Sequence, residues 1–315
     1  MSEISQNLGS VKPEVKPYIV QGERIPQAEV AAVAEDFGTF YGLSSEIIDR
    51  AKQAEAYYVT ETEFAQAIQE QIRDDVKSSM DMADSYAVES GSFMHLSVQV
   101  DKESLQSIMA NEDEFALTVK RIAQDESQNT TGRVISKPGD RELVLLKNTI
   151  ASENRGPTLE HEMIHVLASS GFSRGTGFAF YQPILGYLNI PLNEGATEIL
   201  RLHRRFPNAN INGLARFFSE TPNYPYSVEA QRLLEVLGAY DMRGGFSFTI
   251  KDLARHYFSR RESILTDKSG ALIKDIEQHT PKRYRKYVHL TIDRLGHKDY
   301  LDGSFFSKLA ISDPS

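Results

Sequence analysis

Residues 161–165 have the sequence His-Glu-Met-Ile-His, which constrains the fold of this chain more than any other segment. Two histidines four positions apart on an α-helix lie about 40° apart around its axis, so both imidazoles can bind one metal ion. Glu162 lies between them and can take a proton from metal-bound water without binding the metal itself. The segment therefore predicts a helix that carries two metal ligands, His161 and His165, and a general base.

The residues around this motif support a helix. Pro157 and Thr158 are typical of a helix start, with Thr158 as the N-cap, and Gly171 is typical of a residue that follows a helix end. The apolar side chains of the segment fall on one face, nearly opposite the histidines: Leu159, Met163, Val166 and Leu167. We expect that face to pack in a core and the histidine pair to face a cleft. The alternative is a surface helix with two solvated histidines.

A catalytic zinc site usually has three protein ligands and one water, so the motif needs a third ligand. The chain has no cysteine, which excludes thiolate ligands, and position 171, where a longer motif has a third histidine, is a glycine. The best candidate is the segment Asn193-Glu-Gly-Ala-Thr-Glu198, which opens a second predicted amphipathic helix. Glu194 would bind the metal. Glu198, one turn later, would accept a hydrogen bond from the distal nitrogen of a ligand histidine.

The polar face of this second helix also allows a different interpretation. Arg201 and Arg205 lie on the same face as the two glutamates, so the four side chains would form a solvated stripe of salt bridges. The intact histidine motif favours the ligand interpretation, because a catalytic metal site requires a third ligand.

The histidine motif at 161–165, followed by Asn193-Glu194-x-x-x-Glu198, resembles the gluzincin zinc metallopeptidases, of which the thermolysin-like enzymes are the best known. The resemblance implies a zinc-dependent hydrolase of peptide bonds, in which both histidines and Glu194 bind Zn²⁺, the motif glutamate is the general base and Glu198 supports a ligand histidine. Two features differ from the thermolysin-like pattern: those enzymes have aspartate at the position of Glu198, and their two motifs are closer together. The resemblance covers only the part of the chain between the motifs, so it does not name a substrate.

Peptide hydrolysis also requires a hydrogen-bond donor for the oxyanion that forms at the attacked carbonyl. The resemblance implies a tyrosine or histidine downstream of the second motif in this role. Five residues are candidates, and the sequence does not decide between them: Tyr224, Tyr226, Tyr240, His256 and Tyr257. The alternative is that these tyrosines only anchor packing, as half-buried tyrosines usually do.

A non-catalytic zinc protein is the alternative to a peptidase. In such a protein the same ligands would stabilise the fold or bind a partner. Glu162 favours the peptidase, because a structural zinc site has no use for a base beside the metal.

The hydrophobic pattern predicts an α+β fold with a mostly helical C-terminal half. Helical spacing of apolar residues predicts helices at 27–56, 62–82, 227–240, 249–259, 262–278 and 281–296. Alternation and turn residues predict strands at 93–100, 133–137 and 142–147, with a turn at 138–140. Residues 117–122 fit a helix or a strand.

The resemblance implies a zincin-like core with a small sheet beside the motif helix. Residues 142–147 would form its edge strand and could pair with an extended peptide, although an ordinary edge strand without a ligand is the alternative. The segment 173–183, rich in glycine and aromatic residues, would be a flap over the metal or a connector. We expect three regions: a loose N-terminal arm at 1–24, a helical region at 25–90 and a zincin-like catalytic domain at 91–315.

Composition limits the partners and the location of the protein. The net charge of −9 disfavours nucleic acid and anionic membranes as general partners. No segment has the run of about 18 apolar residues that a membrane span needs. The first residues lack the basic start and apolar run of a secretory leader, and together with the absence of cysteine this favours the cytoplasm, with export by a non-Sec route left open. The expected partner is a peptide or protein substrate, and the oligomeric state is not predicted.

Overall fold

The structure is a computed structural model that describes residues 20–74, 110–135, 142–169, 177–182, 186–188, 190–241, 248–259 and 268–279. These residues form a mixed α/β fold that is mostly helical and contains a small four-stranded sheet. The helices are α1 (Gln27–Phe40), α2 (Ser45–Ala51), α3 (61–74), α4 (Glu112–Asn129), α5 (Ser152–Ala168), α6 (Ile190–Arg205), α7 (Ile211–Glu220), α8 (Ser227–Asp241), α9 (Ile250–Phe258) and α10 (Lys268–His279). The strands are β1 (Glu23–Arg24), β2 (Glu55–Val59), β3 (Gly132–Ile135), β4 (Leu143–Lys147), β5 (Phe180–Gln182) and β6 (Gly186–Leu188).

The four-stranded sheet has the order β1-β2-β4-β3. Strands β2 and β4 are parallel, while β1 and β3 are antiparallel to their neighbours. The two strands predicted just before the motif helix are confirmed as β3 and β4, which pair with Gly132 opposite Leu146. The prediction that residues 142–147 form an edge strand is wrong, because β2 pairs with the other side of β4. Within the described sheet, the edge strand next to β4 is β3.

Strand β2 lies at the end of a segment, residues 27–56, that we predicted to be helical throughout. The structure divides this segment into α1, α2 and the start of β2. Strand β2 pairs with β4 on one side and with β1 on the other, and these long-range pairings place it in the sheet. Residues 117–122, which fitted a helix or a strand, belong to α4. Asn111 caps that helix, since its side chain accepts a hydrogen bond from the Glu114 amide at 3.4 Å.

The sheet separates two hydrophobic clusters. Val144 and Leu146 of β4 belong to the main core, and Leu145 belongs to a smaller core on the other face, because successive side chains of a strand point to opposite faces. Helices α1, α5, α6 and α9 contribute to the main core, whereas α3 and α4 contribute to the smaller one. The helix that carries the histidine motif therefore packs on one face of the sheet.

Helix α5 buries its predicted apolar face in the main core. The side chains of this face are at most 1% exposed: Leu159, Met163, Val166 and Leu167. They share one cluster with Phe37 of α1, Leu200 of α6 and Leu253 of α9. This packing fixes the rotation of α5 and leaves the polar motif residues on its remaining side.

The ends of α5 differ from the prediction. The helix begins one and a half turns before the predicted start, and Pro157 lies inside it. Thr158 is not the N-cap, because its hydroxyl donates a hydrogen bond to the Asn154 carbonyl at 2.8 Å. The predicted stop at Gly171 lies outside the described residues.

Several other predicted features lie outside the described residues: residues 1–19 of the arm, the strand at 93–100, the turn at 138–140 and the helix at 281–296. Glu23 and Arg24, at the end of the predicted arm, form β1 and pair with β2. The sheet joins strands from both sides of the predicted boundary at residue 91. Helices α8 and α9 confirm the predictions at 227–240 and 249–259. Among the described helices, none combines the length and the apolar character that a membrane crossing demands.

Helices α6 and α8 approach each other closely at Gly195. A methyl group on Gly195 would lie 2.8 Å from the carbonyl carbon of Glu229 and 2.9 Å from the amide nitrogen of Ala230. We expect Gly195→Ala to lower the free energy of unfolding by about 1–3 kcal/mol, because the two backbones must move apart. Urea unfolding followed by circular dichroism measures this change.

Gly270→Ala is the matched control. Gly270 lies in α10, and no other group lies within 4 Å of the added methyl. Alanine there stabilises the protein by about 0.5–1 kcal/mol, because it restricts the unfolded chain. Equal stability of the two variants would show that α6 and α8 do not approach as described.

Candidate metal centre

Helices α5 and α6 bring three metal-binding side chains together. His161 and His165 lie on α5, and their Nε2 atoms are 3.1 Å apart. The Glu194 carboxylate on α6 reaches both rings, with Oε2 2.9 Å from His161 Nε2 and Oε1 3.4 Å from His165 Nε2. The structure thus places the two motif histidines and the glutamate expected as third ligand around one point.

The spacing of these atoms fits a metal ion. Ligand atoms bound to a tetrahedral zinc ion at about 2.0–2.1 Å lie about 3.3–3.4 Å from one another. The observed separations of 2.9, 3.1 and 3.4 Å are at or just below that value, so small side-chain movements would admit an ion. Imidazole nitrogen and carboxylate oxygen are ligands that suit zinc and other divalent transition metals.

Glu198 is hydrogen-bonded to the His161 ring at Nδ1, the nitrogen that does not face the other two ligand groups. Its Oε1 lies 2.6 Å from His161 Nδ1, and both residues are buried. With its proton on Nδ1, the imidazole donates to the carboxylate and leaves the Nε2 lone pair for a metal. This is the arrangement that the spacing of Glu194 and Glu198 on one helix led us to expect.

Charges around the centre favour a cation. Burial disfavours the charged form of His161, but hydrogen bonds to Glu194 and Glu198 outweigh burial and raise the pKa of this histidine well above its usual value. Burial raises the pKa of the Glu194 carboxyl, but His165 and His161 outweigh that effect and lower it. The raised pKa of His161 and the lowered pKa of Glu194 both indicate that the buried carboxylates attract positive charge, as a metal site requires.

Arg201 compensates the charge of Glu198. Its Nη2 donates to Glu198 Oε2 at 3.0 Å, and its Nη1 lies 3.5 Å from Glu160 Oε2. Arg201 is 4% exposed and Glu198 is 3% exposed, whereas Arg205 is exposed. The alternative of a solvated salt-bridge stripe is therefore wrong for these two side chains. The sequence showed that Arg201 could pair with Glu198, but not that the pair is buried.

Glu162 lies beside the three ligand side chains and next to strand β3. A methyl group on Gly132 of β3 would come within 2.7 Å of Glu162 Oε1, so the carboxylate occupies the space that a side chain there would need. Burial raises the pKa of the Glu162 carboxyl, and the charges of His161 and His165 only partly oppose this. A carboxylate with a raised pKa accepts a proton more readily near neutral pH.

A cleft of about 790 Å³ opens onto the centre. Residues 130–132 and 149–151 line one part of it, and residues 220–226 line another. His161 and Glu162 also face this cleft, so a ligand in it would contact the motif.

Two of the five candidate oxyanion donors, Tyr224 and Tyr226, line the cleft. The Tyr226 ring stacks on His161 with centroids 5.5 Å apart and planes 19° apart. Its backbone has a φ of 54°, a left-handed conformation that bulky residues rarely adopt. The negative charge of Glu194 and burial raise the pKa of Tyr226, so its hydroxyl keeps its proton. The Tyr224 ring instead packs edge-on against Phe217.

The other three candidates lie elsewhere. Tyr257 is fully buried, and its hydroxyl lies 3.1 Å from His165 Nδ1, on the side of the ring away from the ligand atom Nε2. His256 pairs with Asp275 through Nε2 at 2.8 Å. The side chain of Tyr240 lies outside the described residues.

Asn193 links α6 to the segment that we expected to be a flap or a connector. Its Oδ1 accepts hydrogen bonds from the Phe178 amide at 3.0 Å and from the Ala179 amide at 3.3 Å. Residues 177–179 are accordingly buried against α6. The asparagine before Glu194 belongs to the motif, but nothing in the sequence indicated which backbone groups it binds.

Comparison of the chain with models of known protein families, with curated proteins and with solved structures gives no match. Two histidines and one glutamate occur in metal sites of several kinds. What this centre can do therefore follows from its own residues and their surroundings.

Removal of one partner from the buried Arg201–Glu198 pair should destabilise the fold strongly. We expect Arg201→Met to lower the free energy of unfolding by about 3–5 kcal/mol, because it leaves the Glu198 carboxylate buried without its cation. Urea unfolding of the metal-free protein measures the change.

Arg216→Met is the matched control. Arg216 pairs with Glu220 at 2.7 Å on α7, but these side chains are 79% and 60% exposed. Solvent screens that pair, so its loss should leave the unfolding midpoint nearly unchanged. Similar losses in both variants would contradict the burial of Arg201.

Proposed function

We propose that this chain is a zinc-dependent metallopeptidase with a gluzincin-like site on a zincin-like core. One observation carries the proposal: two imidazole nitrogens and a carboxylate converge at the spacing of a tetrahedral metal site, and one of these groups, His161, lines a cleft together with a further carboxylate, Glu162. This combination supports hydrolysis, because it places a base beside the ligands and leaves room for a substrate.

The proposed ligands are His161, His165 and Glu194. A zinc ion bound there would polarise a peptide carbonyl and lower the pKa of a bound water to about 7. Glu162 accepts the proton of the attacking water and then donates it to the leaving nitrogen of the peptide. Its position beside the proposed ligands suits both steps, since one carboxylate can take the proton and pass it on.

Tyr226 is the proposed oxyanion donor. Its ring lies over His161, and the charges of Glu194 and Glu162 both act on its hydroxyl. A tyrosine hydroxyl keeps its proton at neutral pH, so Tyr226 can donate a hydrogen bond to a developing negative charge. Tyr224 lines the same cleft, but its contact with Phe217 favours a packing role.

Among the described residues no strand pairs with the outer edge of β3, and this open edge suits an extended peptide. The Lys147 amide donates to the Thr131 carbonyl at 3.0 Å, so alternate residues from Thr131 onward pair with β4. The N–H and C=O groups of Gly132 and Val134 therefore point to the open edge. A substrate strand that pairs with them would lie beside Glu162, because Gly132 contacts that carboxylate.

A non-catalytic zinc site is less consistent with these features. Structural zinc sites usually have four protein ligands, whereas the described residues supply three. Glu162 is buried beside them, and burial disfavours its charged form. A role in base catalysis would explain why a carboxylate lies there.

Zinc content and peptide cleavage test the proposal together. We expect the purified chain to hold close to one zinc ion and to cleave a mixture of unstructured peptides, detected by mass spectrometry. Glu162→Gln should retain zinc but cleave at least about 100-fold more slowly, because it removes the base and leaves the ligands. Glu194→Ala should lose zinc, because it removes a ligand.

Glu153→Gln on the same helix is the control, since Glu153 is exposed in the first turn of α5. It should match the unchanged chain in both zinc content and cleavage rate. Cleavage that survives Glu162→Gln would refute the role of the base, and zinc binding that survives Glu194→Ala would refute the ligand set.

The assignment of Tyr226 has a separate test. Tyr226→Phe removes only the hydroxyl, so we expect kcat/KM to fall by about 100–1,000-fold with zinc content unchanged. Tyr224→Phe should retain most of the activity, because its ring packing remains. Kinetics of both variants on one cleaved peptide decide between these tyrosines, and the reverse order of effects would assign the role to Tyr224.

A further inference from the structure

We infer that Tyr257 is a positioning residue for the second ligand histidine, His165. The inference rests on the proposed zinc site and assigns a partner to the histidine that Glu198 does not touch. Tyr257 comes from α9, far along the chain from both motifs. Its hydroxyl lies 3.1 Å from His165 Nδ1 and 2.7 Å from Thr197 Oγ1.

The three side chains form an ordered series of hydrogen bonds. A metal on His165 Nε2 requires the ring proton on Nδ1, so Nδ1 must donate a hydrogen bond. The Tyr257 oxygen accepts it, and the Tyr257 hydroxyl proton then goes to Thr197 Oγ1. The Thr197 hydroxyl donates in turn to the Asn193 carbonyl at 2.8 Å. Each group donates once along this series, which ends on a backbone oxygen of α6.

Asn193 cannot replace Tyr257 as the acceptor, although its Nδ2 lies 3.3 Å from His165 Nδ1. Its Oδ1 already accepts the Phe178 and Ala179 amides, and this fixes the orientation of the side-chain amide. The NH₂ group therefore faces the histidine, and an NH₂ group only donates. That group can donate instead to Glu194 Oε1, which is 3.4 Å away.

The surroundings of Tyr257 hold its hydroxyl in place. Tyr257 and Thr197 are 0% exposed, so water does not compete for the bonds between them. The Tyr257 ring packs edge-on against Phe178, with centroids 5.4 Å apart, and edge-on against Phe258 at 5.1 Å. A ring fixed on both sides gives the histidine a fixed partner, which is what a ligand needs to keep one tautomer and one orientation.

The experiment is a zinc affinity measurement by competition with a chelating dye. Tyr257→Phe keeps the ring and removes the hydroxyl, so we expect zinc affinity to weaken by about 10–100-fold. The visible spectrum of the cobalt-substituted protein should change as well, because the orientation of one ligand ring is released. Neither readout depends on a substrate.

Tyr41→Phe is the matched control. Tyr41 is half-buried, and its hydroxyl donates to the Leu200 carbonyl at 2.6 Å and lies 3.3 Å from Nδ1 of a different α6 histidine, His203. Its loss should destabilise the metal-free protein to a similar degree, as urea unfolding would show, and leave zinc affinity unchanged.

The outcomes separate this inference from the proposed function. If the unchanged chain and Tyr257→Phe bind zinc with equal affinity, the inference is overturned and the metallopeptidase proposal stands. Equal weakening in Tyr257→Phe and Tyr41→Phe overturns it too, since the effect would then be general. A chain that binds no zinc overturns both. If Tyr257→Phe does not fold, Thr197→Val removes the next group in the series, and an unchanged affinity in that variant overturns the inference.

Discussion

Charge buried between α5 and α6 is the constraint on which the site depends. His161, Glu198 and Arg201 form a connected series of hydrogen bonds, and each residue is less than a tenth exposed. Loss of one member would leave another charge buried without its partner. The bond between His161 and Glu198 joins α5 to α6, and Arg201 supports it from within α6. The orientation of His161 is therefore a property of the folded chain itself.

The charges around this centre favour a cation. Glu162 and Glu194 lie beside the two histidines, and Glu198 pairs with Arg201, which also lies 3.5 Å from Glu160. The carboxylates outnumber the arginine, so a bound cation would offset their remaining charge. The two ligand histidines differ in their support, since His161 has an anionic partner and His165 has neutral ones. A carboxylate partner raises the basicity of an imidazole, whereas a neutral hydroxyl mainly orients it.

Local spacing made the centre of the site predictable from the sequence. Residues four positions apart on a helix must share a face, which placed His161 with His165 and Glu194 with Glu198. Strand β2 contains three strand-forming residues, Tyr57, Tyr58 and Val59, but the helical spacing of the residues before it favoured a helix as far as residue 56. Tertiary packing also extended α5 past Pro157. The role of Tyr257 was hidden for a similar reason, since it lies 92 residues from the histidine it contacts.

Gly132 of β3 lies against the side chain of Glu162, the proposed base, and this close approach restricts which residues can occupy position 132. A Cβ atom at position 132 would lie 2.7 Å from Glu162 Oε1 and 2.9 Å from Leu146 Cδ2, so any other residue there would displace the Glu162 carboxylate. The N–H and C=O groups of Gly132 also point away from β4, toward the edge that we propose binds a peptide. A displacement of β3 would therefore move this edge and the surface that contacts Glu162 together.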